Sequence, residues 1–177
     1  MSAGSGTRDG GVAVREWQVA GGVIERDGAV LLVENLRRNG TTDWTPPGGV
    51  VELADGETIL DGLGREVSEE TSLRVVTWDG PLYRVEAEAP GLGWFMRVEV
   101  HRALEIVGEP SCGEDPDGIV VAAEFCSPEV VAQRTVSGHP WVHEPLVDWL
   151  TQRWTETRTY RYLVEGERPG ELVVSRR

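Results

Sequence analysis

Residues 57–71, ETILDGLGREVSEET, place two opposed demands on one helix. Apolar Ile59, Leu60, Leu63 and Val67 recur at helical spacing and predict a stripe buried against a core. Thr58 is the expected N-cap, with Asp61 three residues on in a near capping box. Gly62 and Gly64 each cost about 1 kcal/mol relative to Ala inside a helix, so they predict close packing there. Against that stripe stand Glu66, Glu69 and Glu70, at i, i+3 and i+4. At roughly 100° per residue the three span about 100° of arc, expected on a face different from the apolar one. Carboxylates whose Cβ atoms lie about 5–6 Å apart repel one another and need relief. Arg65, four before Glu69, and Arg74, four after Glu70, offer pairs worth about 0.2–0.5 kcal/mol each. A hard divalent cation, Mg²⁺ or Mn²⁺, held by three converging carboxylates offers another relief. Helix geometry alone leaves both open.

Around this helix the pattern is mostly extended. EWQVAGGVIERDGAVLLVEN predicts two β segments about the tight turn Arg26-Asp27-Gly28. LRRNGTTDWTPPGG reads as a loop. LRVVTWDG, LYRVEAEA and WFMRVEVHRALEI alternate and carry β-branched or aromatic residues, predicting three strands; IVVAAEFC predicts a further one. Ser127 as N-cap and Pro128 at the first helical position open a second helix. HEPLVDWLTQRW predicts a third, with Leu146, Leu150 and Trp149 or Trp154 on its buried side. The tail TYRYLVEGERPGELVVSRR predicts a β-hairpin. Strands interleaved with a few helices indicate an α/β or α+β layered domain. The expected organisation is a disordered polar leader over 1–15, a domain over 16–157 and a hairpin appendage over 158–177.

The 177 residues suffice for a sizeable core. No stretch approaches the roughly 20 apolar residues of a membrane span, and the N-terminus lacks the apolar segment of a signal peptide, so a cytoplasmic protein is expected. Cys112 and Cys126 lack zinc-type spacing and read as reduced, partly buried thiols. A net charge of −13 argues against a general binder of nucleic acid or of anionic membranes. It leaves room for a phosphorylated small molecule, provided that cations stand between the two sets of negative charge.

Taken whole, GGVVELADGETILDGLGREVSEETSL resembles the Nudix box, G-x5-E-x7-R-E-U-x-E-E-x-G-U, where U is a bulky aliphatic residue. Glu57, seven intervening residues and then Arg65-Glu66-Val67-Ser68-Glu69-Glu70 match in type and spacing. Leu73 fills the last aliphatic position, and WTPPGG, Trp44 to Gly49, is similar to the family's lead-in. Two departures stand out: a two-residue insertion within ELADGE, assigned to Ala54-Asp55, and Ser72 in place of the glycine that follows the glutamate pair. If that position is left-handed, serine costs on the order of 1 kcal/mol there.

The resemblance implies an α/β/α sandwich around a mixed sheet. It implies Glu66, Glu69 and Glu70 as ligands of Mg²⁺ (or Mn²⁺), with the Gly49 carbonyl as a further ligand. It implies a pair between Arg65 and Glu57 that ties loop to helix. The implied reaction is hydrolysis of a nucleoside diphosphate linked to another group. An alternative is a catalytically weak domain of the same family that binds nucleotide or regulates. Outside the box, Trp44, Arg37 and Arg38 are candidates for substrate contact, and Glu114, Asp115 and Asp117 for a general base. A homodimer is open through the strand edges of the C-terminal hairpin.

Overall fold

A computed structural model describes residues 14–112, 116, 118–168 and 170–177. Of the leader expected over 1–15, residues 1–13 lie outside the described residues, while Arg15 already opens the first strand. Ten strands and three helices run in the order β1 (Arg15–Val23), β2 (Glu25–Arg26), β3 (Ala29–Leu36), β4 (Thr42–Thr45), β5 (Gly48–Val50), α1 (Ile59–Thr71), β6 (Arg74–Ala89), β7 (Trp94–Val107), β8 (Val120–Cys126), α2 (Pro128–Thr135), α3 (Pro140–Gln152), β9 (Arg158–Glu165) and β10 (Val173–Arg176) among the described residues.

These strands form two sheets. The larger follows the order β10-β9-β6-β7-β1-β5 and is mixed: β1 with β7 and β6 with β9 run parallel, the other pairs antiparallel. In the smaller sheet β3 pairs antiparallel with β2 and β4 as well as with β8. The predicted turn is a two-residue hairpin, with Asp27 at φ 51° and Gly28 at φ 80°; that double positive φ suits the right-handed twist of the flanking strands. The chain divides at Ile24, so the stretch before the turn is shared between the sheets: β1 joins the larger and β2 the smaller.

Helix α1 lies on one side of the sheets, α2 and α3 on the other. The run Val30 to Val33 is wholly buried because β3 is covered on both faces. Val30 and Leu32 join the core under α3, and Leu31 joins the core under α1. Strand β7 alternates instead: Trp94, Met96, Val98 and Val100 belong to the α3-side core, while Arg97 and Glu99 make cross-strand ion pairs with Glu16 and Arg84. The architecture is the expected α/β/α sandwich, and the C-terminal hairpin is present, with β9 docked parallel to β6.

Local expectations differ from the structure at several points. The Gly- and Pro-rich loop contains β4 and β5; the Thr and Trp residues of 41–45 find an open edge on β3, and Gly48–Val50 pairs with β1. LRVVTWDG and LYRVEAEA form one irregular strand, β6, because β7 continues beside both across the register shifts between Val75 and Tyr83. Helix α3 begins at Pro140, before His143, and ends at Gln152, leaving Trp154 beyond it. Arg153 closes it in a left-handed conformation at φ 50°. Leu60 is 41% exposed and outside the stripe, which is carried by Leu63 and Val67 with Ile59 at its margin. Nothing packs on Gly64. Cys112 is exposed and Cys126 buried, both as free thiols.

His101 is buried on β7, with Nε2 3.2 Å from Glu99. Burial lowers its pKa below the ordinary value despite that neighbour. The unfolded chain therefore takes up a proton, near pH 6.5 and below, that the native state resists. Stability is expected to fall as pH drops below about 6.5. His101→Gln should flatten the curve of Tm against pH between about 6.5 and 5; an unchanged slope would place the titration elsewhere.

Candidate active site

Thr58 caps α1 as expected: its Oγ1 accepts from the Asp61 N–H at 3.2 Å and donates to Asp61 Oδ2 at 2.6 Å. At the other end Ser72 stands in the left-handed conformation, φ 60°, and its N–H donates to the Ser68 carbonyl. The departure from glycine is accommodated there, and Ser111 Oγ donates to Ser72 Oγ at 3.0 Å. Arg74 lies beyond the helix, at the start of β6.

The helix is held against the preceding loop by Arg65 and Glu57. Arg65 Nε donates to Glu57 Oε1 at 2.8 Å and its NH2 to Glu57 Oε2 at 3.2 Å. The Glu52 N–H donates to the same Oε2 at 2.8 Å. Arg65, with help from that N–H, holds the Glu57 carboxyl below the usual carboxylate range. Glu57 in turn fixes the guanidinium in its charged form. Gly62 is what makes room: a Cβ there would stand 2.8 Å from Glu57 Oε2 and 3.1 Å from Val51 Cγ1. The inserted residues form a single 3₁₀ turn, Leu53–Asp55, closed by left-handed Gly56. They lengthen the loop without separating Glu57 from Arg65.

The three glutamates do not share one environment. Glu70 is only 8% exposed, correcting the expectation of a face apart from the apolar stripe. Eleven residues after Ile59, it falls about 20° from it in projection, inside the stripe. Its Oε2 accepts from the Gly48 N–H at 2.8 Å. Glu66 lies against Gly49, where a Cβ would meet its Cδ at 2.5 Å and Oε2 at 2.6 Å. Gly48 is equally constrained: at φ 152°, a Cβ there would collide with the Ala20 carbonyl oxygen. Glu69 is brought to Arg65, whose NH1 donates to Glu69 Oε2 at 3.2 Å and to Glu66 Oε1 at 2.8 Å. One guanidinium thus serves Glu57, Glu66 and Glu69.

Among the described residues no three His, Cys, Asp or Glu side chains are gathered tightly enough to hold a metal ion as they stand. Arg65 engages two of the helix carboxylates and the Gly48 N–H engages the third. The donor set nevertheless suits a hard cation. It consists of carboxylate oxygens beside a glycine backbone, in a cradle that any Cβ at Gly49 would fill.

The other candidates are scattered. Arg37 is spent on Asp43, with Nε and NH2 each 2.7 Å from a carboxylate oxygen. Arg38 is exposed. Trp44 is half-buried on β4, packs against the α3-side core, and has the Arg134 guanidinium 3.9 Å from its ring centroid. Sequence reading missed Arg134, which is ninety positions away and carries no local signal. Glu114, Asp115 and Asp117 lie outside the described residues.

Arg65→Ala is expected to lower both Tm, by roughly 3 °C, and turnover, by at least about tenfold, because it unties the loop and leaves the carboxylates unrelieved. The loss in Tm should shrink when Mg²⁺ is added. A purely catalytic loss, read by thermal melts beside initial rates, would contradict this tie.

Among the described residues no helix is long and apolar enough to cross a membrane. The NUDIX domain family model matches residues 15–150. Several solved structures share the fold. The ORF135 protein of E. coli is 23% identical, with 79% of this chain and 92% of that chain covered and a TM-score of 0.65. A MutT Nudix hydrolase from Burkholderia pseudomallei is 24% identical, with 78% and 98% covered and a TM-score of 0.59. The MutT protein of Methanosarcina mazei is 17% identical, with 82% and 100% covered and a TM-score of 0.64. No curated protein gives a significant match by sequence. With Arg65, Glu66, Glu69 and Glu70 on α1 and Glu57 on the loop before it, the fold around them and a family match that spans most of the sequence, this chain belongs to the Nudix family of hydrolases, which cleave pyrophosphate linkages and generally use divalent metal ions.

Proposed function

We propose that the protein is a Mg²⁺-dependent pyrophosphohydrolase, with Mn²⁺ able to substitute, acting in the cytoplasm on a nucleoside diphosphate linked to another group. The observation that carries this reading is the meeting of Glu66 and Glu70 with the Gly49 and Gly48 backbone, beside Glu69 and Arg65. Glu66, Glu69 and Glu70, with the Gly49 carbonyl, would hold the metal. Bound there, Mg²⁺ would neutralise the non-bridging phosphate oxygens and acidify water.

The chain's own residues do the rest. Glu57 and Arg65 fix the loop and the helix relative to one another. Glycine at 48 and 49 lets the backbone approach the carboxylates. Among the described residues, two of the candidate cations are already engaged, Arg65 by glutamates and Arg37 by Asp43, which leaves exposed Arg38 as the side-chain candidate for phosphate. That scarcity favours a metal as the source of positive charge. Arg134 lies over one face of the Trp44 ring and the core packs against it, so the ring's part in the proposal is to anchor β4 rather than to stack on a base.

The test is a panel of nucleoside diphosphate conjugates, nucleoside triphosphates and dinucleoside polyphosphates, incubated with Mg²⁺ and followed by phosphorus NMR. Cleavage at a P–O–P linkage in at least one class is expected. Cleavage of simple phosphomonoesters alone would overturn the reading.

A further inference from the structure

We propose that Arg134 is a positioning residue for the glutamate site, acting through Trp44 on the segment that carries Gly48 and Gly49. This role rests on the proposed function of Glu66 and Glu70. Strand β4 is only four residues long and has β3 as its single strand neighbour among the described residues. Besides its ladder, β4 is held at Asp43 and Thr45 by Asn35, whose Nδ2 donates to Asp43 Oδ1 at 3.2 Å and to Thr45 Oγ1 at 3.0 Å. At Trp44, between those two residues, Arg134 supplies the hold. From the last turn of α2, its guanidinium lies over the Trp44 ring at 3.9 Å. It is itself pinned by Glu124 on β8 at 2.7 Å and donates to Cys126 Sγ at 3.4 Å. Arg134 thus ties α2 to β8 and, through its guanidinium, both of them to the indole.

From Trp44 the chain passes through Thr45 to Pro46 and Pro47. Two consecutive prolines make a stiff spacer, because each ring fixes φ. The Pro47 carbonyl accepts from the Gly22 N–H at 2.9 Å, and the next two residues are the ones that meet Glu70 and Glu66. A tilt of the Trp44 segment is thus passed along a rigid arm to Gly48, where the Ala20 carbonyl leaves no slack. The planar guanidinium matters as well as its charge, since lysine cannot lie flat on an indole.

The experiment compares wild-type protein with Arg134→Gln, Arg134→Lys and, as a matched control, Arg158→Gln; Arg158 stacks on Trp154 at 4.1 Å. Amide proton–nitrogen spectra and hydrogen exchange are recorded on metal-free protein. In Arg134→Gln the Gly48 and Gly49 signals should shift, and the Gly48 amide should exchange about tenfold faster while core amides keep their protection. Turnover should fall by severalfold to about tenfold, as expected when a positioning contact is lost. Arg134→Lys, which keeps the charge facing Glu124, should still not regain the wild-type glycine signals. Gly48 and Gly49 signals that stay unmoved in both Arg134 variants, or that move equally in Arg158→Gln, would overturn the role. The glycine readout needs no substrate. Near-normal turnover in Glu70→Gln would instead defeat the proposed function and leave the glycine result standing.

Discussion

Glu70→Gln is expected to lower turnover by at least about two orders of magnitude, while the metal-free Tm stays within roughly 2 °C of wild type. The two halves have different physical origins. Glutamine has the shape of glutamate, and its amide oxygen can still accept from the Gly48 N–H, so the 2.8 Å tie survives. The substitution also removes one charge from a set of mutually repelling carboxylates, which does not harm the empty fold. What it cannot supply is the carboxylate charge that strengthens the hold on a hard divalent cation and offsets the cation's own charge. Initial rates by phosphorus NMR and thermal melts on the same preparation decide the matter. Near-normal turnover would remove Glu70 from the chemistry. A large fall in Tm would make it a structural anchor whose charge the Gly48 N–H needs.

Chelation is expected to abolish turnover completely, and Mg²⁺ to restore it. Arg65 pairs with Glu66 and Glu69, so a cation at this site competes with those pairs for the carboxylates. Affinity without substrate should be weak, and substrate phosphate should strengthen it. At a tenfold excess over Kd, metal binding stabilises the fold by roughly 1.4 kcal/mol, which corresponds to about 3–5 °C in Tm for a chain of this size. Mn²⁺ should act likewise. In water enriched with heavy oxygen, the label should appear on a phosphate product, as expected when water attacks phosphorus. Chelator-resistant turnover, or label found only on carbon, would sink the proposed chemistry.

The amino-acid sequence by itself determined the local features of the site. A capped helix, its apolar stripe through Leu63 and Val67, and the register of Glu57, Arg65, Glu66, Glu69 and Glu70 depend on propensities and on a period of 3.6 residues, and both are local. The need for close packing at Gly62 was legible for the same reason, and Glu57 is what packs there. The hairpin at Asp27-Gly28 was legible because few residues tolerate two positive φ values in succession.

The inward direction of Glu70 follows from the same helical period, eleven residues after Ile59. Only the tertiary structure decided what these residues touch: Gly48 offers Glu70 a donor twenty-two positions away. Arg65 serves Glu57, Glu66 and Glu69 together because the loop folds back over Gly62; a rule for pairs four apart sees only one of the three. Strands β4 and β5 hide in a Gly- and Pro-rich stretch because their hydrogen-bond partners, β3 and β1, lie elsewhere in the chain, and an edge strand is stabilised by its neighbour more than by its own propensity. Arg134 reaches Trp44 only once α2 has packed beside β4. Contacts of this kind join distant segments and leave no periodic trace in either one, so they exist only once the sheets have formed.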